Sequence, residues 1–389
     1  MTEAFDPYAG GAEDRYEAMA RARKAGGVVD TPAGYYVATA DGVEAGLRDV
    51  DRFVGSFMDV SALPEDEIVI SAVPEPRHGR IRRVINTVVA AHRTAQAAPF
   101  VRDTARRLVG DALAEQAAAG CVDLVATVVD PLPSAVIAHM LGVPVEDQER
   151  FRHWSDELLA AQDSGEPATL SQSHPEFAAY IQREIDRRRA VPDPPDDVIT
   201  RFLRTDVDGE YLSDAAVRTQ TMFLIVAGNE TTRNLIGNCL HTLASAPDLY
   251  ERVREERALV PVVVEESLRH DSPVQVLARA VLGYTEVSGC PLAPGDRVVF
   301  GVASANRDES RYDEPSAFRV DRTRPRDHLA FGTGPHVCPG ATLARLEAAA
   351  VIEALCDRVS SLRLVEGFAP EPNPVFWALG HRRLPAVLT

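Results

Sequence analysis

Residues 331–340 read Phe331-Gly332-Thr333-Gly334-Pro335-His336-Val337-Cys338-Pro339-Gly340, a glycine-rich loop that runs directly into a helical pattern. The three glycines allow a sharp turn and a close approach of the backbone to another group. The cysteine lies where the loop meets the helix start. We expect the unpaired N–H groups and the helix dipole there to lower the pKa of its thiol. The loop therefore presents one thiolate on a rigid support.

A single thiolate on a rigid loop is one way in which a protein supplies an axial ligand to a haem iron. Six positions match, in register, the pattern Phe-Gly-x-Gly-x-His/Arg-x-Cys-x-Gly, so the loop resembles the cysteine loop of the cytochrome P450 family, the haem-thiolate monooxygenases. The alternative is a buried structural cysteine beside a turn. The matching residues are Phe331, Gly332, Gly334, His336, Cys338 and Gly340.

The resemblance implies a mainly α protein with a small β region, folded as the α-rich triangular prism of the cytochrome P450 family in a single domain over residues 1–389. It also implies haem b (protoporphyrin IX iron) as the cofactor, with Cys338 as the ligand to the metal. The next residue, Pro339, has no N–H to offer the sulfur. Proline suits the first helical position; alternatively, the missing donor leaves the thiolate more electron-rich and lowers the iron potential.

Composition restricts the class of protein. The chain has 389 residues and a formal net charge of −17, which argues against nucleic acid as a partner. Its five cysteines are scattered, without a Cys-x-x-Cys pair, so neither a disulfide framework nor a zinc site is predicted. No apolar run reaches the ~18 residues that span a bilayer, and no signal-peptide pattern is visible. We therefore expect a soluble cytoplasmic enzyme of the bacterial type, without a membrane anchor.

Helical periodicity dominates the chain. Short strands are predicted at 34–39 and 297–302, and a final hairpin from 374–379 and 384–388. This pattern indicates one large helical body with a small β region. The predicted helices cover residues 99–120, 147–161, 174–190, 214–245, 258–270 and 341–358.

The longest predicted helix follows Ser213, a good N-cap residue. Its middle reads Ala227-Gly228-Asn229-Glu230-Thr231, where a poor helix former and two polar residues interrupt an apolar stretch. The simpler explanation is that the helix tolerates the glycine and that the acid beside it is solvent-exposed. The segment also resembles the acid–alcohol motif of the family, which implies a helix bulge that makes a groove for dioxygen. In that case Ala227 and Gly228 border the cofactor, Thr231 donates a hydrogen bond and Glu230 relays protons.

A haem carries two propionates, which need cations. The resemblance gives this role to His78 and Arg82, to Arg279, and to His336 in the cysteine loop. Each of the four could instead be an ordinary surface charge. Together, in the order found in the family, they favour a dianionic cofactor.

Glu266 and Arg269 share a helix face at i, i+3 spacing. Taken alone, such a pair is commonplace and contributes little on a surface. In the family the pair is buried and joined by a downstream arginine, here Arg322. We expect this trio to support the haem loop without taking part in the chemistry.

The segments that contact substrate in the family correspond here to residues 53–74, 154–180, 222–227, 274–277 and 376–377. Their apolar character predicts an apolar small-molecule substrate, such as a sterol, terpenoid, fatty acid or secondary metabolite. The same side chains would also suit an ordinary core. They include Phe53, Phe57, Met58, Ile68, Ile70, Met222, Phe223, Val276, Phe376 and Trp377.

The chain ends at Thr389, soon after the last predicted strand, so no fused flavin domain is expected. The resemblance implies O2 as co-substrate and electrons from a ferredoxin with its NAD(P)H-dependent ferredoxin reductase. Arg80, Arg83 and Arg345 are the expected docking cations, unless they are simply solvated. Three other functions stay open. One is an H2O2-dependent peroxygenase, against which the acid–alcohol pair argues; the others are a non-catalytic haem-thiolate sensor or carrier and a helical protein without cofactor.

Overall fold

The computed structural model describes residues 12–55, 60–161, 168–371 and 377–389. α-Helices make up most of this part of the chain, as predicted, and none of its helices has the length and apolarity needed to cross a membrane. The helices are α1 (Ala12–Lys24), α2 (Ala40–Arg48), α3 (Arg77–Val88), α4 (Ala91–Ala119), α5 (Pro131–Leu141), α6 (Gln148–Ala161), α7 (Leu170–Ser173), α8 (Pro175–Arg189), α9 (Val198–Arg204), α10 (Asp214–Ser245), α11 (Pro247–Glu255), α12 (Val260–His270), α13 (Val302–Ala305) and α14 (Ala341–Arg358).

The strands form three small sheets. The largest has the order β1-β2-β8-β5-β3, in which only β2 and β8 run parallel. The second has the order β4-β10-β9, and β6 pairs with β7. The strands are β1 (Val28–Thr31), β2 (Gly34–Val37), β3 (Phe53–Val54), β4 (Val122–Asp123), β5 (Leu277–Val281), β6 (Thr285–Val287), β7 (Cys290–Leu292), β8 (Arg297–Phe300), β9 (Leu362–Leu364) and β10 (Pro385–Leu388).

Helix α10 organises the helical body. It begins where predicted, with the Ser213 hydroxyl accepting a hydrogen bond from the backbone N–H of Ala216 at 3.1 Å. Its 32 residues span about 48 Å. Buried residues occur on nearly all sides, as expected of a helix enclosed by others. Helices α5, α6, α8, α12 and α14 pack against it.

Two hydrophobic clusters meet along α10. One packs its C-terminal half, from Leu235 to Leu243, against α4, α12 and α14. The other packs its N-terminal half, from Val217 to Val226, against α3, α6, α8 and α9. The turns between Val226 and Leu235 belong to neither cluster. The polar acid–alcohol segment therefore lies at the junction of two cores, where a cavity opens.

The first predicted helix starts in the wrong place. Helix α4 begins at Ala91, not at residue 99, and carries Pro99 in its interior. A proline there removes a backbone hydrogen bond and normally kinks or ends a helix. The helix continues because Ala97, Ala98 and Val101 are buried on the face that packs against α5 and α14.

The predicted C-terminal hairpin is wrong in its pairing. Strand β10 has β4 on one side and β9 on the other, so it does not pair with residues 374–379. In that segment Pro374, Val375 and Phe376 lie outside the described residues, and Ala378 makes an isolated bridge with Val274. The partners of β10 come from distant parts of the chain, which no local pattern indicates.

Candidate active site

A cavity of about 310 Å³ opens beside α10, between the cysteine loop, α3 and α14. Most side chains around it are apolar, and the volume is typical of a site that takes a small molecule. The cavity brings together eleven of the twelve residues predicted for the site. These are His78, Arg82, Ala227, Gly228, Thr231, Arg279, Phe331, Gly332, His336, Cys338 and Gly340.

The cysteine loop is shaped by two glycines with left-handed backbone. Gly332 has φ 68° and Gly334 has φ 70°, values that side-chain-bearing residues rarely adopt. A Cβ on Gly334 would also lie 3.0 Å from the Cα of Arg48 in α2. The backbone N–H of Cys338 donates to the Phe331 carbonyl at 2.8 Å and closes the loop. The sulfur is thereby held at a fixed place on the cavity wall.

The sulfur of Cys338 opens onto the cavity, and protein surrounds it on its other sides. Burial raises the pKa of its thiol, although the backbone N–H groups of Gly340 and Ala341 and the charges of Arg82 and Arg345 act in the opposite direction. The N–H groups at the helix start therefore lower this pKa as expected, but in the protein alone burial of the thiol outweighs them and the net direction is upward. A coordinated cation reverses that balance and deprotonates a thiol outright.

Cations without anionic partners collect at the rim of the cavity. Arg279 is 7% exposed, and its guanidinium makes one hydrogen bond among the described residues, to the adjacent carbonyl of Ala278 at 2.7 Å. Burial lowers the pKa of Arg279 to about 10. Arg82 donates to the Val337 carbonyl and to the Asn86 side chain, and neither arginine meets a carboxylate in the described part of the chain. A buried cation of this kind lowers the folding stability by several kcal/mol unless an anion accompanies it.

Two histidines complete the rim. The ring of His78 lies 4.0 Å from that of His336, centroid to centroid, and His78 Nδ1 contacts Glu75 Oε1 at 2.8 Å. The other nitrogen of His78, Nε2, is buried and has no partner in the described residues. Burial, followed by the charges of His78, Arg279 and Arg82, lowers the pKa of His336 to about 3. The two arginines, which meet no carboxylate among the described residues, fit a bound dianion, and His78 Nε2 has room for a hydrogen-bond partner there.

The two residues of the acid–alcohol pair, Glu230 and Thr231, lie on different faces of α10. Thr231 borders the cavity, and its hydroxyl donates to the Ala227 carbonyl at 2.8 Å. Glu230 lies off the cavity, 1% exposed, with its carboxylate on Arg233 and on the Asn234 amide, which donates at 3.0 Å. All of residues 214–245 are described, and α10 runs through 227–232 without a π turn or break. The Thr231 hydroxyl returns its bond to the i−4 carbonyl of the same helix, a contact of the kind that bends helices, and the groove for dioxygen stays a prediction.

The sequence model of the cytochrome P450 family matches residues 47–360, most of the chain. The chain belongs to the cytochrome P450 family. Its P450 fold, its haem b cofactor and its oxidoreductase class follow from that membership, as do a small-molecule substrate, O2 and a redox partner.

Three relatives illustrate the likeness. A steroid C26-monooxygenase from Mycobacterium tuberculosis is 33% identical, over 88% of this chain and 92% of that protein. CYP109E1 from Bacillus megaterium, solved with testosterone, is 30% identical with a TM-score of 0.81, over 98% of this chain and 99% of the other. A mutant of P450 EryK, solved with erythromycin B, is 29% identical with a TM-score of 0.86, over 97% and 96%.

The haem-loop support of this P450 is assembled as predicted. Glu266 accepts hydrogen bonds from Arg269 at 2.7 and 2.9 Å and from Arg322 at 3.0 and 3.1 Å. The backbone N–H of Arg319 adds a further bond at 2.8 Å. Burial alone would raise the pKa of the Glu266 carboxyl, but these donors hold it below its usual range. The carboxylate is thus fully partnered although it is 1% exposed.

Sequence reasoning missed a second support. Glu265, the neighbour of Glu266, accepts from Arg345 at 2.6 and 3.0 Å and contacts His328 at 2.9 Å. Burial alone would raise the pKa of the Glu265 carboxyl, but His328 and Arg345 lower it to about 2. The Arg345 guanidinium also lies 4.5 Å from the centre of the Phe331 ring. Arg345 thus pairs with a buried carboxylate and packs against the loop, and its docking role stays a prediction.

The other two predicted docking arginines stay at the surface. Arg80 pairs with Glu210, and Arg83 pairs with Asp208. Both arginines lie on α3, and both acids lie in the segment between α9 and α10. All four side chains are substantially exposed, so these pairs contribute little to stability.

Glu347 is a buried acid that sequence reasoning also missed. It borders the cavity from α14, is 3% exposed, and its Oε2 has no partner in the described residues. Burial raises the pKa of its carboxyl to about 8. The available signal was its position one turn beyond Leu343 and Ala344, on the apolar side of the helix that follows the cysteine.

The residues predicted to contact substrate fall into two groups. Some line the cavity, and others belong to the hydrophobic core. Ile70, Phe223, Val274 and Leu277 line the cavity. Several other predicted residues pack in hydrophobic clusters instead, because their side chains face the core. These are Phe53, Ile68, Met222, Val276 and Trp377. Three further residues, Phe57, Met58 and Phe376, lie outside the described residues.

Proposed function

We propose that this P450 inserts one oxygen atom of O2 into an apolar small molecule, with electrons from a ferredoxin and its NAD(P)H-dependent reductase. One arrangement carries the proposal. A buried cysteine sulfur, a rim of unpaired cations and the Thr231 hydroxyl all border one apolar cavity. Bound haem supplies the activation of O2, and the second oxygen atom leaves as water after uptake of two electrons and two protons.

We infer that Cys338 would provide the thiolate ligand of the haem iron and that His78, Arg82, Arg279 and His336 would hold the propionates. The support is chemical, because a haem would supply interaction partners that these side chains lack among the described residues. It would give the thiolate a cation and Arg279 an anion, and it would place a polar group beside His78 Nε2. Phe331, Gly332 and Gly340 shape the proximal wall, and Ala227 and Gly228 shape the distal wall. Gly228 has Ile137 within 3.0 Å of a would-be Cβ, so the wall has little room for a larger residue.

Proton handling falls to the acid–alcohol pair. Thr231 Oγ1 holds a proton that it donates to the Ala227 carbonyl, and rotation of the hydroxyl turns this donor toward the cavity. Glu230 directly precedes Thr231 in the chain. It is the proposed donor that returns a proton to the Thr231 hydroxyl. A peroxygenase would need no such relay.

The wall of the cavity favours an uncharged, apolar substrate. The residues contributed by α10 and by the segment before β5, among them Phe223, Leu224, Val274 and Leu277, carry no charge. Relatives named for steroid oxidation and for erythromycin B binding support the same class. A screen for ligands that shift the ferric spin state should respond to steroids or macrolactones more than to charged compounds.

The decisive experiment is the spectrum of the dithionite-reduced, carbon monoxide-bound protein. We expect the thiolate-type Soret band in the parent and its loss in Cys338→Ser, with Cys121→Ser, an exposed cysteine, as the matched control. A Cys338→Ser protein with an unchanged spectrum would refute the ligand assignment. Product formation with a ferredoxin, its reductase and NAD(P)H, compared with H2O2 alone, then separates the monooxygenase from a peroxygenase.

A further inference from the structure

A buried ion cluster supports the cysteine loop from outside the cavity. Glu265 of α12 is its centre, and its carboxylate accepts hydrogen bonds from the Arg345 guanidinium of α14 at 2.6 and 3.0 Å. His328, in the segment before the loop, lies 2.9 Å from the same carboxylate. The side chains of His328 and Glu265 are 2% and 4% exposed, and none of the three residues borders the cavity. A charge pair is therefore buried close to the segment that carries Cys338.

The Arg345 guanidinium contacts both Glu265 and the loop. Its Nε and Nη2 bond the carboxylate, while its central carbon lies 4.5 Å from the centre of the Phe331 ring. A guanidinium can bond a carboxylate in its plane and stack on an aromatic ring at the same time, which an ammonium cannot do. The Phe331 carbonyl accepts the backbone N–H of Cys338 at 2.8 Å. The positive charge thus rests on the residue to which the cysteine is hydrogen-bonded.

The same guanidinium reaches the first turn of α14, beside the sulfur. Its Nη1 donates to the Ala341 carbonyl at 3.4 Å. Burial raises the pKa of the Cys338 thiol, and the charges of Arg82 and Arg345 are among the groups that act against it. Arg82 acts from the cavity, whereas Arg345 acts from outside it. Arg345 is therefore a cation that stays beside the sulfur without occupying space that a haem would fill.

We propose that Arg345 is a positioning residue that sets how strongly the Cys338 thiolate donates electrons, and hence the reduction potential of bound haem, with Glu265 as the anion that holds it in place. This rests on the proposed ligation by Cys338. A cation beside the thiolate draws electron density from the sulfur and favours the reduced iron, which carries one positive charge less. Glu265 partly cancels this field. One electron enters from the redox partner, and no bond or proton changes at Arg345.

One carboxylate and one guanidinium set the charge of the cluster. Burial alone would raise the pKa of the Glu265 carboxyl, but His328 and Arg345 lower it to about 2, so the acid is ionised. His328 Nδ1 accepts the backbone N–H of Ala330 at 3.3 Å, so Nε2 carries the proton that Glu265 accepts, and the ring is neutral. Arg326 lies 3.4 Å from the carboxylate but is 75% exposed, so solvent screens its charge.

Removing either member of the pair leaves the other unbalanced, and the two changes act in opposite directions. Arg345→Gln removes the cation and should lower the reduction potential of the holoenzyme. Glu265→Gln keeps the shape of the acid without its charge and should raise the potential. We expect each variant to shift the ferric–ferrous equilibrium by about tenfold, which corresponds to ~59 mV for one electron. A purely structural role would loosen the loop in both variants and give no opposition of sign.

Two further variants and a control separate charge from packing. Arg345→Lys keeps the charge but loses the paired bonds and the stacking on Phe331, so its potential should lie closer to the parent than that of Arg345→Gln. The double variant Glu265→Gln/Arg345→Gln removes both charges and should return to within about threefold of the parent equilibrium. Arg326→Gln removes an exposed cation from the same carboxylate and should leave the potential unchanged.

The potential is measured by spectroelectrochemical titration of the purified holoenzyme without ferredoxin, so that docking does not enter. The infrared C–O stretch of the reduced, carbon monoxide-bound protein is the second readout, because stronger donation from the thiolate lowers its frequency. We expect a lower frequency in Arg345→Gln and a higher one in Glu265→Gln. Neither measurement depends on a substrate or on turnover.

Shifts of the same sign in the two single variants, or a parent-like potential in Arg345→Gln, would overturn the proposal. If one single variant fails to retain haem, the sign of the shift in the other decides. A parent protein without the thiolate-type Soret band means that the proposed function has failed. If that band is present and the potentials do not move as stated, only the role of Arg345 is lost.

Discussion

The carboxyl of Glu347 should make the stability of this P450 fall as the pH rises. The group is buried beside the cavity with one oxygen unpartnered, and burial raises its pKa to about 8. In the unfolded chain a glutamate titrates near pH 4.3. The folded protein therefore retains a proton that the unfolded chain releases, so unfolding becomes more favourable as pH rises through this window and levels off above pH 8.

The size of the effect follows from linkage. Each pH unit between the two pKa values costs about 1.4 kcal/mol of folding free energy. From pH 6 to pH 8 the cost grows by roughly 2 kcal/mol, because the titration is already half complete at the upper limit. Glu347→Gln keeps the shape and the hydrogen-bonding capacity of the protonated acid and does not ionise. Relative to the parent, this variant should gain about 2 kcal/mol between pH 6 and pH 8.

The assay is urea denaturation of the holoenzyme at pH 6, 7 and 8, followed by circular dichroism and by the Soret band. The control is Glu353→Gln on the same helix, where the acid is exposed and its removal should leave the pH slope of the parent unchanged. The quantity to compare is the difference between variants at each pH, since other groups titrate in all of them. Parallel pH profiles for Glu347→Gln and the parent would refute the reasoning.

Three further predictions concern the site and its support. Thr231→Ala should uncouple turnover, with reductant consumed and peroxide formed in place of product, because the Oγ1 donor is lost; an unchanged ratio of product to reductant would remove Thr231 from the mechanism. Glu266→Gln should cost about 3–5 kcal/mol, since two buried guanidinium groups lose their shared anion, and denaturation midpoints measured beside Glu353→Gln check it. Pro339→Ala should raise the reduction potential by adding a third N–H beside the sulfur to those of Gly340 and Ala341, and a potential equal to or below that of the parent speaks against this.

The sequence alone was enough to predict the cysteine loop and the two helices that flank the cavity. The predicted helices 214–245 and 341–358 match α10 and α14, because a serine cap and an apolar period are local signals. The left-handed glycines of the loop are likewise a local demand of the backbone. These features let sequence patterns indicate both the fold class and eleven of the residues that meet in the cavity.

Other features depend on partners far away in the chain. Helix α4 continues through Pro99 because α5 and α14 cover its buried face, and β10 pairs with β4 and β9 across long intervals. Arg345 turns inward because Glu265 lies opposite it, 80 residues earlier. No periodicity within α14 distinguishes this arginine from one at the surface.

The sequence by itself determined the ligand loop, the acid–alcohol segment and the helical character of the chain, since each depends on backbone geometry and spacing within a few residues. Only the tertiary structure decided that Thr231 borders the cavity while Glu230 lies off it against Arg233 and Asn234, and that Glu347 is buried with one carboxylate oxygen unpartnered among the described residues. The face that a side chain presents, and the charges and water it meets there, depend on how distant segments pack. Desolvation and ion pairing therefore enter the chemistry of the site only after the chain has folded.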